Sequence, residues 1–226
     1  MNARVAVVQM TSGPSREANL ASAAQLLESA ARQGAGLAVL PENFAFLGRG
    51  EADRIAVAEP PGAGPMQDFL AAQARELGLW IVGGTLPLLE PGERRPRAAC
   101  LLYDAQGRLA ARYDKIHLFD VNVPGGSEGY RESDGIAPGA EAVVADVPFG
   151  RLGLAVCYDM RFPGLFQVMS SSGMEAVALP AAFTETTGRA HWELLVRARA
   201  VDNLACVLAA ANGASIRAGG GPGATR

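Results

Sequence analysis

Lysine is almost missing from this 226-residue chain: nineteen of its twenty basic residues are arginine, and Lys115 is the one exception. A GC-rich coding bias, visible in the abundance of Ala, Gly, Arg and Pro, accounts for surface lysines having become arginines, but not for the one that stayed. Arginine is a planar, permanently charged fork, whereas lysine is a compact ammonium whose pKa responds to burial. The exchange therefore fails where a point charge or a proton donor is required. Histidine is scarce as well, with only His117 and His191 and no HExxH spacing. The three cysteines, Cys100, Cys157 and Cys206, are odd in number and far apart, which suits neither a disulfide framework nor a zinc site. Metal catalysis through His or Cys ligands is set aside, and no cofactor is expected. No apolar run reaches the ~20 residues of a membrane span. The N-terminus leads straight into a strand-like run without signal-peptide architecture, so a soluble cytoplasmic protein is expected. Positive charge is not in excess: the formal net charge is -3 and the arginines are scattered. Arg94, Arg95 and Arg97 cluster, but alternate with Glu93 and Pro96 as a solvated hairpin tip would. Neither nucleic acid nor membrane is expected as a partner. P-loop, GxGxxG and GxSxG patterns are also absent, which leaves any chemistry to side chains.

What the chain does have is a 49% hydrophobic, 19% charged composition, enough for one sizeable α/β core. The expected division is a single domain over residues 1–212 and a Gly-rich tail over 213–226 that lacks apolar periodicity and should be disordered. Arg4–Met10 reads as a buried strand, Ser15–Gln33 as a helix with Leu20, Ala24, Leu27 and Ala31 on one face, and Leu37–Leu40 as a second strand. A β-α-β start predicts parallel pairing with a right-handed crossover. Pro65–Leu77 reads as helix and Leu79–Thr85 as extended. Arg97–Tyr103 and Leu109–Tyr113 read as a hairpin around Asp104-Ala105-Gln106-Gly107. A long loop, about Lys115–Pro138, interrupts the regular pattern, and such loops inside compact domains are usually functional. Strands follow at Ala142–Asp146, Arg151–Val156, Glu175–Leu179 and Ala205–Ala210, with helices at Pro163–Ser172 and His191–Leu204.

In open α/β sheets reacting groups gather at the carboxyl ends of strands. Three candidates sit there. Glu42 follows the second strand in Leu40-Pro41-Glu42-Asn43-Phe44, Lys115 follows the strand ending at Tyr113, and Cys157 follows Leu152–Val156. Singly, each has a bland reading as a solvated carboxylate, a surface cation or an inert core thiol. Together they form a chemically complete set. A carboxylate base and an ammonium would both promote the thiolate, and the ammonium could then hold an oxyanion, which suits acyl transfer from a carbonyl substrate. His117, two residues from Lys115, reads as packing or hydrogen bonding near the site. Arg161 balances Asp159 or a substrate carboxylate, the salt bridge being the preferred reading. Trp192, Leu195 and Val196 read as the core face of a helix.

The motifs LPENF, YDKIHLFDVNVPGG with RESD downstream, CYDMRFP and LPAAFTETTGRAHWELLVRARAVDN resemble the nitrilase superfamily of carbon-nitrogen hydrolases, above all its Nit branch of amidases. This likeness runs from Val5 to about Asn212. It implies an α/β fold, a four-layer α-β-β-α sandwich, and a Glu-Lys-Cys triad that falls on Glu42, Lys115 and Cys157. A further glutamate of the Arg-Glu-Ser motif falls on Glu132, which would orient Lys115 and substrate. The backbone N–H of Tyr158 would share the oxyanion with Lys115. The resemblance implies a cysteine amidase that converts a small carboxylated amide to acid plus ammonia through a thioester. The DVNVPGG and RESD stretch is most similar to deaminated glutathione amidases, with omega-amidases of 2-oxoglutaramate type as the alternative. It also implies a homodimer. Relatives of this type continue into a segment resembling GHSMIVDPWG, which this sequence lacks, so the sandwich is expected without its C-terminal strands. A non-catalytic remnant is the second reading. Ser127-Glu128-Gly129 makes the long loop one residue longer than usual.

Overall fold

The computed structural model of the chain describes residues 4–48, 50–122 and 129–213. Its opening β-α-β order is the expected one, but the first strand is shorter than Arg4–Met10 and only partly buried, Val7 being 48% exposed. Strand β1 (Val5–Val7) leads into helix α1 (Arg16–Arg32) and back to β2 (Leu37–Val39), with Val5 opposite Leu37 in parallel register. Helix α1 starts where Ser15 accepts a hydrogen bond from Ala18 N on its side chain, satisfying a donor that a helix N-terminus leaves open. Next come α2 (Glu51–Ala56), α3 (Pro65–Leu77), β3 (Trp80–Val82), β4 (Leu86–Leu88), β5 (Arg97–Tyr103) and β6 (Leu109–Asp114). Strands β1, β2 and β3 run in parallel, and β3 and β4 pair antiparallel with successive stretches of β5. The β5–β6 hairpin matches the expectation from its Asp104–Gly107 turn.

A second sheet holds β9 (Val143–Val147), β10 (Gly150–Leu154), β11 (Ala176–Ala181) and β12 (Cys206–Ala211) in the order β12-β11-β10-β9. Helices α4 (Pro163–Ser171) and α5 (Glu185–Asn203) connect its parallel members.

Side-chain alternation along the strands builds the layers. Leu37 and Val39 of β2, with Cys100 and Leu102 of β5, face the second sheet and pack with Leu152, Leu154, Val177 and Leu179. Ala38, Ile81, Ala99 and Leu101 point the other way, onto Leu27 of α1 and Met66, Leu70 and Ala74 of α3. On the far side of the second sheet, Phe166 and Met169 of α4 belong to the same cluster as the inter-sheet residues, with Trp192, Leu195 and Val196 of α5 packed against it, as expected for a helix core face. The result is helices, sheet, sheet, helices, the four-layer α-β-β-α order. Each fully buried Leu or Phe contributes about 1.5–3 kcal/mol, and both clusters combine them with Val, Ala and Met.

Two local expectations needed correction. Helix α5 begins at Glu185, six residues before His191, because Thr184 accepts from Thr187 N at 3.3 Å and caps a start whose Thr and Gly content reads as loop. The stretch from Lys115 to Pro138 is not wholly irregular: β7 (Asp120–Asn122) pairs with β8 (Gly129–Arg131), followed by a 3₁₀ turn at Glu132–Asp134. Helix α2 and strand β4 carried no clear pattern, β4 being three residues long with Pro87, which has no N–H for a ladder, at its centre. Ser127 and Glu128 of the lengthened loop, and the tail from residue 214, lie outside the described residues. Among the described residues no helix is long and apolar enough to cross a membrane.

Candidate active site

Four of the expected residues converge although the chain separates them widely. Glu42 leaves β2 through Leu40, whose N–H donates to Val82 O at 2.9 Å. The chain then turns sharply, with Asn43 at φ 56, its N–H donating to Thr85 Oγ1 at 2.9 Å. Gly84, also at positive φ, permits that turn, since a Cβ there would collide with the Pro41 carbonyl. Lys115 continues β6, its N–H donating to Ala98 O at 3.0 Å. Its ammonium donates to Glu42 Oε1 at 2.9 Å and to Glu132 Oε2 and Oε1 at 2.9 and 3.1 Å. Glu132 sits on the 3₁₀ turn after β8, where Phe119 N donates to Oε2 at 2.7 Å and Arg54 Nη1 lies 4.0 Å from Oε1.

Cys157 opens a second 3₁₀ turn, Cys157–Arg161, directly after β10. Its φ of 48 is in the left-handed region, a strained backbone that costs on the order of 1–3 kcal/mol for a non-glycine residue and is typical of functional turns. The thiol lies within electrostatic reach of the Glu42 carboxylate and the Lys115 ammonium. Lys115 is 2% exposed, Glu42 4% and Cys157 7%, so their charges interact with little screening.

That burial determines the protonation pattern. For Lys115, burial opposes the charge, but the Glu132 and Glu42 carboxylates outweigh it and hold the ammonium well above its ordinary pKa. For Glu132, burial works against ionisation while Lys115 and the Phe119 N–H hold the carboxyl below its ordinary value. The thiol behaves differently. Burial first and the Glu42 charge second push Cys157 well above its ordinary value, and Lys115 offsets them only in part. Of the two groups expected to promote a thiolate, only the ammonium does so in the resting site. The carboxylate opposes ionisation.

Around this cluster lies an aromatic wall. The Phe119 and Tyr158 rings meet edge-on with centroids 5.1 Å apart, and Tyr158 and Phe162 at 5.3 Å. His117 stacks on Phe162 at 3.7 Å and its Nδ1 lies 2.7 Å from Asp159 Oδ1, which matches its reading as packing and hydrogen bonding. The preferred salt bridge between Arg161 and Asp159 is not formed, because Tyr113 Oη, Val156 N and His117 already donate to that carboxylate. Arg161 instead contacts His191 Nδ1 at 3.1 Å and lies 5.8 and 5.9 Å from the Tyr158 and Phe183 ring centres. No described carboxylate pairs with it.

Sequence reasoning missed Asn212, which ties the two sheets together at the site. Its Oδ1 accepts from Ser12 N at 3.0 Å, its Nδ2 donates to Glu42 O at 3.3 Å, and its backbone N–H donates to Ala181 O at 2.8 Å. An Asn placed directly after an apolar strand was the available signal. The role of Asp159 was missed too.

Residues 4–221 match the family described as carbon-nitrogen hydrolase. A deaminated glutathione amidase from Yersinia enterocolitica is 46% identical over 213 residues, covering 93% of this chain and 73% of that protein. An omega-amidase from Xenopus laevis is 37% identical over 201 residues, covering 88% of this chain and 71% of that one. Among solved structures, the C. elegans NitFhit protein superposes with a TM-score of 0.85 at 36% identity, covering 94% of this chain and 52% of that one, so the present chain spans about half of its length.

Proposed function

The chain belongs to the carbon-nitrogen hydrolase family, and from that premise we propose that it is a cysteine amidase acting on a small amide that carries a carboxylate. The observation that carries this reading is the ammonium of the only lysine, held between two largely buried carboxylates, one of which also acts electrostatically on the thiol of Cys157.

In the proposed reaction Glu42 accepts the thiol proton as Sγ attacks the amide carbonyl carbon. Proton transfer at the moment of attack suits a thiol that burial keeps protonated at rest. The carbonyl oxygen becomes an anion, stabilised by the Lys115 ammonium and the Tyr158 backbone N–H. Glu42 then passes its proton to the departing nitrogen, the C–N bond breaks, and a thioester remains on Cys157. Water, losing a proton to Glu42, attacks the thioester carbonyl; the acid leaves and the thiol regains its proton. Glu132 holds Lys115 in place. Arg161, with no described carboxylate partner and lying near the Tyr158 and Phe183 rings, takes the substrate carboxylate.

The name of the Yersinia relative directs the substrate reading to deaminated glutathione, with 2-oxoglutaramate, an omega-amidase substrate, as the alternative. The two differ in what leaves: a primary amide releases ammonia, whereas deaminated glutathione has a peptide nitrogen at that carbonyl and releases a dipeptide amine. A homodimer belongs to the same reading; Leu194 and Val201, 67% and 72% exposed on α5, are the surface to test for it.

The deciding experiment follows release of 2-oxoglutarate from both compounds by the purified chain and by Cys157→Ala. Turnover should fall by about 10⁴-fold or more in the variant, and an intact-mass measurement should detect a thioester only with the wild type. Undiminished turnover in Cys157→Ala would overturn the reading.

A further inference from the structure

Asp159 is fully buried, yet it carries no part of the reaction just described. Its carboxylate accepts four hydrogen bonds. Oδ2 receives Tyr113 Oη at 2.7 Å and Val156 N at 2.8 Å, while Oδ1 receives His117 N at 3.0 Å and faces His117 Nδ1 at 2.7 Å. These donors come from two places. Val156 immediately precedes Cys157, and Tyr113 and His117 flank Lys115 two residues to either side. One carboxylate thus grips the turn that presents the thiol and the segment that presents the ammonium.

A second observation gives this grip a purpose. Cys157 is held at φ 48, a conformation that relaxes unless its surroundings fix it. The Val156 N–H bond to Asp159 spans that strained residue and closes the turn. Tyr113 adds to the brace, since its hydroxyl also accepts from Ile116 N at 3.3 Å, fixing the backbone just beyond Lys115. His117 is locked from its other side by the Phe162 ring, which belongs to the chain leaving the same turn. The loop closed by these contacts runs Lys115, Tyr113, Asp159, Val156 and Cys157, and each link is a hydrogen bond or a short piece of backbone.

We propose that Asp159 is a positioning residue that fixes the distance between the nucleophile and the ammonium, acting through Tyr113 and His117 on one side and the Val156 N–H on the other. This rests on the amidase reading for the identity of the two groups it spaces. Asp159 touches neither substrate nor reacting atom in that scheme. Its effect is on the geometry of attack, where a displacement of 1 Å costs on the order of 10²-fold in rate.

The test uses the alkylation rate of Cys157 by iodoacetamide, which needs no amide substrate, beside kcat and KM on whichever amide is turned over. Three variants are compared with wild type: Asp159→Asn, Tyr113→Phe and the double variant, each checked by circular dichroism and thermal melting. Asp159→Asn should lower both the alkylation rate and kcat, the latter by about 10²-fold, with KM little changed. Tyr113→Phe, which leaves three of the four hydrogen bonds to Asp159, should lower both by roughly 2- to 10-fold. The double variant should be no worse than Asp159→Asn alone. A purely structural aspartate would lower the melting temperature and leave the alkylation rate and kcat of the folded protein at wild-type values, and that result overturns the inference even if the chain is an amidase. Slowed alkylation without turnover on any amide would instead uphold the spacing role and count against the amidase reading. Should Asp159→Asn fail to fold, Tyr113→Phe decides alone.

Discussion

The ammonium of Lys115 and the carboxylate of Glu42 meet at 2.9 Å with both side chains almost wholly out of solvent, although 73 positions of chain separate them. A pair this buried is valuable only while it is complete, because removing one partner strands the other charge.

Replacing Lys115 with arginine tests whether the surviving lysine is there for its shape. The site gives an ammonium three acceptors in a pocket where the side chain is 2% exposed, and a planar guanidinium cannot occupy it without displacing Glu42 or Glu132. Lys115→Arg should keep its charge and lose about 10²- to 10³-fold in kcat. Steady-state kinetics on the folded variant checks this, and wild-type activity would remove the argument from lysine scarcity.

Glu42→Gln should separate turnover from thiol reactivity. If Glu42 is the proposed base, its loss should lower kcat by about 10²- to 10⁴-fold. The same change removes an anion that holds the thiol up, so the thiolate becomes easier to form. In the wild type, burial and Glu42 keep Cys157 well above its ordinary value of 9.0, and alkylation should still be accelerating as pH rises through that value. In Glu42→Gln the whole alkylation profile should move to lower pH, measured by iodoacetamide labelling across a pH series.

Glu132 gives a stability test on the acid side. Its carboxyl is held below the ordinary value of 4.5, with burial opposing and Lys115 prevailing. A depressed carboxyl contributes stability above its unfolded pKa and loses that contribution as pH falls through the folded one. Glu132→Gln should therefore cost about 1–3 kcal/mol at neutral pH, with the gap to wild type closing below about pH 4.5. Urea unfolding at several pH values measures it; a gap independent of pH would contradict the assigned ion pair.

Arg161 separates binding from chemistry. If it receives the substrate carboxylate, Arg161→Gln should raise KM for a carboxylated amide by about 10- to 100-fold, with a much smaller change for an uncharged amide of the same length. Equal effects on both would make Arg161 a packing residue for the Tyr158 and Phe183 rings.

Much of the frame was legible because it is apolar in runs or periodic. Continuous apolar runs at Leu37–Leu40 and Arg97–Tyr103 marked strands buried on both faces, and the Ser15–Gln33 pattern marked α1. Elements that failed to announce themselves lack period or length. Strand β4 has three residues around a proline, and the first turn of α5 is made of residues with weak helical preference, held by a cap at Thr184 and by packing further along. Strands β7 and β8 are too short for alternation to speak.

Local sequence alone marked out the candidate groups of the proposed site: the single lysine, with one cysteine and one glutamate at strand ends. Chemical type and strand-end position are local properties, and a linear pattern carries them. Only the tertiary structure decided that Glu132 rather than solvent faces Lys115, that Asp159 turns from Arg161 to Tyr113 and His117, and that Asn212 bridges the two sheets beneath Glu42. Those pairings join residues 17 to 170 positions apart. They arise where the packing of two sheets closes off water and leaves each buried polar group only the partners within reach.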